Sequence, residues 1–157
     1  MNAGNEGASA DPARHEGGCH SGGCLCGAVR YVVRGPLRPV VNCHCGQCRH
    51  FHGHHGAYSG AARGNVTFTS DAGLRWYRSS NMARRGFCGI CGASLFYDRD
   101  GRDFLAITAG SLDQPTGLRT VRHIFTAGRG DYYEITDGLE QLPGSMLTPQ
   151  APSGAAG

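Results

Sequence analysis

The chain has 157 residues, of which 26 are glycine and 39% are apolar, and its formal charge is +3. That length suits one domain with a single core, and no segment approaches the apolar length of a membrane span. The mild charge fits small anionic ligands without demanding nucleic acid, and no basic stripe is present. Both ends are rich in glycine and alanine with little to bury, so residues 1–18 and 144–157 are expected to be flexible tails around a domain at 19–143. The first residues lack the basic start and apolar run of a signal peptide, so a cytoplasmic chain with reduced thiols is expected.

Inside those bounds, short alternating runs read as strands. Residues 28–34 place Val29, Tyr31 and Val33 on one side of the period. Similar runs follow at 37–41, 65–69, 74–78, 94–97 and 104–108. At 119–125, Val121 and His123 alternate with Arg122 and Ile124. Glycine and aspartate punctuate these runs, and Asp100-Gly101 reads as a hairpin turn. Nothing sustains helical periodicity for three turns; one helical turn is expected at 49–52. The expected fold class is all-β, built of many short antiparallel strands with metal clusters at their turns and short helical turns only.

Seven of the eight cysteines form three tight clusters. Cys24 and Cys26 spell C-x-C, Cys43, Cys45 and Cys48 spell C-x-C-x-x-C, and Cys88 and Cys91 spell C-x-x-C. Eight cysteines would suit a disulfide framework, but spacing and a reducing compartment favour metal. The C-x-x-C lacks the βαβ setting of a redox motif. Gly89 and Gly92 around it, like Gly23 and Gly27 around the C-x-C, offer the positive φ that a two-thiolate turn needs. Three thiolates on zinc make a net negative centre, a poor Lewis acid but a good holder of one more thiolate. The triplet Cys43, Cys45 and Cys48 therefore suits thiol chemistry. A four-cysteine site could join the triplet to either neighbour; pairing the two outer motifs leaves the triplet intact and is preferred.

The string from Gly22 to Tyr31, the Cys43-His44-Cys45 with Cys48-Arg49, and Phe87-Cys88 with Cys91-Gly92 and Leu95 resemble the signatures of the glutathione-dependent formaldehyde-activating enzyme family. That family shares its domain with centromere protein V. Gly110-Ser111-Leu112-Asp113, His123-Ile124-Phe125 and Asp131-Tyr132-Tyr133-Glu134-Ile135 resemble its carboxy-terminal pattern. The resemblance implies a zinc-stapled β-tent with two zinc ions per chain. It implies a structural zinc on Cys24, Cys26, Cys88 and Cys91, and a second on Cys43, Cys45 and Cys48 near bound glutathione. It also implies a carbon–sulfur lyase activity that joins glutathione, or a similar thiol, to formaldehyde or another small aldehyde.

Other residues are weighed against plainer roles. Cys19 reads as a stray thiol of the leader rather than a zinc ligand. His50, His52, His54 and His55 offer a fourth ligand or a general base, or else ordinary hydrogen-bonded turns. His44, between two ligands, is expected to point elsewhere, and His123 to pack or hydrogen-bond within its strand. Arg49 could pair with a carboxylate of glutathione; Arg84 and Arg85 are secondary candidates. Trp76, Tyr77, Tyr132 and Tyr133 could line a peptide groove or fill the core. The alternative function is a non-catalytic zinc module for a thiol, protein or nucleic acid, with nucleic acid disfavoured by the charge pattern. Metal buffering is a third option, and oligomeric state is not indicated.

Overall fold

The structure, a computed structural model, describes residues 18–145. The strands are β1 (Cys19–Gly23), β2 (Arg30–Arg34), β3 (Val40–Cys43), β4 (Gly56–Ala61), β5 (Val66–Ser70), β6 (Leu74–Ser80), β7 (Ala83–Cys88), β8 (Ser94–Arg99), β9 (Leu105–Thr108), β10 (Thr120–Ile124) and β11 (Glu140–Gln141). One helix, α1 (Gly46–His52), follows β3, and three single 3-10 turns complete the set. The strands form a three-stranded sheet, β1-β2-β5, and an eight-stranded sheet, β11-β10-β3-β4-β9-β8-β7-β6. This is the mostly β fold expected.

The core lies where the two sheets face each other. Tyr31 and Val33 of β2 are buried while Val32 between them is less so, as a half-buried strand requires. Phe96 of β8 sits at the centre, edge-on to Tyr31 at 5.2 Å and Phe68 at 5.5 Å, and stacked on Trp76 at 6.1 Å. Tyr31 and Phe68 come from the small sheet, and Phe96 and Trp76 from the large one. Burying each such ring contributes roughly 1.5–3 kcal/mol. The Tyr31 hydroxyl, carried into this core, is satisfied by Ser111 Oγ at 2.6 Å.

Several expectations are adjusted. The sheets are not wholly antiparallel, because β10 pairs in parallel with both β3 and β11. No tight turn joins β3 to β10, so hairpin geometry does not dictate their direction. The helix begins three residues earlier than the expected turn at 49–52, because Cys45 caps it: its Sγ accepts from the Cys48 amide at 3.4 Å. Gly53 ends it in the left-handed conformation, with φ 77°. Cys19 belongs to β1, opposite Arg34, rather than to a leader. The expected tails fall mostly on 1–17 and 146–157, outside the described residues.

Candidate metal centres

The two outer cysteine motifs occupy turns of different sheets. Cys24 and Cys26 follow β1 and precede β2; Cys88 closes β7 and Cys91 lies in the turn to β8. The folding of the sheets onto one another brings all four sulfurs within 4.8 Å of each other. Cys88 is fully buried and Cys24 nearly so, while Cys26 is exposed. Gly73 makes room for the Cys88 sulfur: a Cβ there would lie 3.0 Å from it and 2.8 Å from the Ala28 methyl. Gly27 and Gly92 adopt the expected positive φ, 81° and 76°, but Gly23 and Gly89 do not. Those two are held instead by close neighbours, the Val29 carbonyl and the Arg75 side chain.

Backbone amides face the sulfurs. The Val29 amide donates to Cys24 Sγ at 3.2 Å. The Ala93 amide is the first cause holding the Cys91 thiol down to about 6. At Cys26 the Ala28 amide pulls downward, but desolvation and the three neighbouring thiols carry it up to about 11. Such sharing of protons among four crowded thiols is what a divalent cation relieves. Tetrahedral zinc with Zn–S of about 2.3 Å sets its sulfurs about 3.8 Å apart. The sulfurs of Cys24 and Cys26 are 3.6 Å apart, and those of Cys26 and Cys88 are 3.7 Å apart. The donor set fits.

The middle cluster is built at the junction of β3 and α1. Cys43 ends β3, Cys45 caps the helix and Cys48 lies buried on its first turn. Their three sulfurs also lie within 4.8 Å of one another. Among the described residues no histidine or carboxylate joins this group, so His50, His52, His54 and His55 do not supply a fourth ligand, and neither does Cys19. Cys45 is the thiol held deprotonated, down to about 2, first by donation from Cys43 and Cys48 and further by the Cys48 amide and the Arg85 charge. Cys43 is correspondingly pushed up by those same two neighbours and by burial.

Of the residues that surround the triplet, the sequence offers Arg85 and His52 as secondary candidates and gives no sign of Tyr58 or Gln47. Directly opposed residues on paired strands share a face. Cys43 opposes Gly56, Val41 opposes Tyr58, and Arg85 opposes Tyr97, which places Cys43, Tyr58 and Arg85 under α1. Arg85 is 3% exposed. It donates to Tyr58 Oη at 3.0 Å, Gln47 Oε1 at 3.3 Å and Cys48 Sγ at 3.7 Å, and lies against the rings of Phe51 and Tyr97. Its neighbour Arg84 turns to the opposite face, onto Trp76 and Asp98. Tyr58 also bonds His52 Nε2 at 2.8 Å. Burial, then Arg85, brings His52 down to about 4.

A second chain of side chains leads away from the triplet. His44 turns from the sulfurs of its neighbours, bonding Tyr133 Oη through Nδ1 and His123 Nδ1 through Nε2 at 2.8 Å. His123 Nε2 in turn reaches Asp137 at 2.8 Å. Burial, followed by the charges of His55 and His123, lowers His44 to about 4. The Asp137 carboxylate can only accept, so His123 donates to it through Nε2. Arg49, the expected substrate residue, carries no ion pair among the described residues, and its Nε is buried without a partner.

A family model described as glutathione-dependent formaldehyde-activating enzyme matches residues 19–128, from β1 to the 3-10 turn after β10. The match ends short of the Asp131–Ile135 string. The chain is also similar to the crystal structure of a Rhodobacter sphaeroides protein, with 23% identity and a TM-score of 0.52 over 60% of this chain and 88% of that one. At that identity the likeness speaks for the fold.

Proposed function

This chain belongs to the glutathione-dependent formaldehyde-activating enzyme family, and from that premise we propose that it binds glutathione, or a similar small thiol, at the triplet and forms or cleaves its adduct with formaldehyde or another small aldehyde. The observation that carries this is the triplet's composition: three convergent sulfurs, no fourth protein ligand among the described residues, and a buried cation beside one of them. On this reading Cys24, Cys26, Cys88 and Cys91 hold one zinc and Cys43, Cys45 and Cys48 a second. Zinc on the triplet would supply a position where a thiol is held as thiolate.

The chain's own residues do the rest. Three thiolates crowd negative charge into a half-buried loop, and Arg85 offsets it without needing to be drawn from solvent. Tyr58 keeps Arg85 in place by accepting from its guanidinium, and burial raises the phenol's pKa, so it stays protonated. Arg49 is assigned to a carboxylate of the thiol substrate. In the reaction the sulfur of the thiol bonds the aldehyde carbon while the carbonyl π bond breaks. The proton lost by the thiol ends on the resulting hydroxyl, so atoms and electrons balance without an oxidant. Exchange NMR of glutathione with formaldehyde tests this, comparing wild type with Cys45→Ser. Faster exchange with wild type alone supports the reading; a wild-type rate equal to the protein-free rate rejects it.

A further inference from the structure

Residues 129–134 leave the 3-10 turn Thr126–Gly128 and fold back beside the triplet. They bound a groove of about 520 Å³. We propose that this groove, lined by Arg129, Asp131, Tyr132, Tyr133 and Glu134, is the subsite for the amino-acid end of the thiol substrate, its α-ammonium and α-carboxylate, with Arg129 taking the carboxylate. The proposal rests on the thiol reading above and adds a specificity to it. The groove lies past residue 128, beyond the segment that the family model matches.

Position comes first. A Cβ on Gly128 would lie 3.6 Å from Cys45 Cα. One further residue adds 3.8 Å of backbone, so Arg129 Cα lies within roughly 9 Å of Cys45 Cα. A γ-glutamyl group attached to a metal-bound cysteine must reach a comparable distance, since two extended residues span at most about 7 Å and the cysteine side chain adds to that. The groove therefore lies within reach of that end of glutathione.

Charge comes second. Among the described residues Arg129, Asp131 and Glu134 take part in no ion pair, although most of the other acidic side chains do. A groove with one uncancelled guanidinium and two uncancelled carboxylates is complementary to a zwitterion, whereas a simple anion or cation would meet repulsion at one end. Its aromatic wall is fixed from behind: Tyr133 bonds buried His44, and Tyr132 bonds His54 Nδ1 at 3.2 Å. The positive charges of Arg129 and Arg49 both bear on the Tyr133 hydroxyl. Arg49, next to Cys48 in the chain, is left for the second carboxylate that glutathione carries at its glycyl end.

Isothermal titration calorimetry on the zinc-replete full chain tests the assignment, with glutathione and 2-mercaptoethanol as probes. The second thiol has the sulfur but neither charge. Arg129→Gln should weaken glutathione binding about tenfold, the scale of one charge-assisted hydrogen bond, and leave 2-mercaptoethanol unchanged. Arg129→Lys should recover part of the loss. Arg129 is exposed, so neither change threatens the fold. Unchanged glutathione affinity in Arg129→Gln, or an equal loss for both thiols, overturns the subsite while leaving the thiol reading intact. Binding of neither thiol by wild type overturns that reading, and the subsite with it.

Discussion

Replacing Cys88 with serine should do far more damage than replacing Cys45, although both remove one sulfur from a cluster. Cys88 is fully buried at the end of β7, and its partners Cys24 and Cys26 belong to the turn that opens the other sheet. A zinc held by the four cysteines would therefore tie the sheets at the edge of the core that Phe96, Tyr31 and Phe68 share. A structural zinc contributes about 10–16 kcal/mol of apparent folding free energy at neutral pH. Losing even a third of that, roughly 4 kcal/mol, lowers the Tm of a domain this size by roughly 10–20 °C, and a domain's whole stability is only about 5–15 kcal/mol. Cys45, by contrast, caps α1 beside a single sheet, and its loss should cost roughly 5 °C or less. Thermal unfolding by circular dichroism, with zinc content measured on the same samples, decides the matter. A Cys88→Ser protein that melts within a few degrees of wild type and keeps two zinc equivalents would refute the staple.

Three further outcomes are expected. Arg85→Met removes the cation beside Cys48, so zinc should be stripped from the triplet about tenfold more easily in a chelator competition, while the four-cysteine zinc is retained. His44 and His52 are both lowered to about 4, first by burial, so the unfolded chain binds more protons than the folded one between pH 4 and 6.5. Their contribution to stability is complete above pH 6.5 and erodes as pH falls through about 4, by about 1.4 kcal/mol per pH unit for each ring. Imidazole resonances of those two that titrate near 6.5 in the folded chain would contradict it. Tyr133→Phe leaves buried His44 Nδ1 without its partner and should cost about 1–3 kcal/mol in a denaturant titration.

Much of this fold was legible because its strands alternate. β2, β5, β6, β8, β9 and β10 all overlap runs read from the sequence, with ends displaced by a few residues. β4 escaped notice because Gly56, Ala57, Gly60 and Ala61 carry no strand signal of their own. It is nevertheless central in the large sheet, and its small residues let neighbours approach: a Cβ on Gly60 would lie 2.5 Å from the Phe104 ring. β7 escaped because two arginines interrupt its apolar period, yet one of them is among the most buried charged groups described. Strand propensity reflects what a side chain packs against, and that depends on neighbours distant in the chain.

The same reasoning separates what could and could not be read of the site. Cysteine clusters are local, so their spacing revealed three ligand groups. The residues that give the triplet its character are not local. Cys48 and Arg85 stand 37 positions apart and meet only because α1 covers the face of the large sheet to which β7 turns Arg85. Arg84 and Arg85 look equivalent in sequence, but strand alternation sends one to buried Asp98 and to Trp76 on the opposite face and the other beneath the helix. Which of the two faces the sulfurs depends on register, and a shift of one residue in the β7–β8 pairing would exchange them. Register, more than the ligands themselves, therefore determines whether the triplet has a cation beside it.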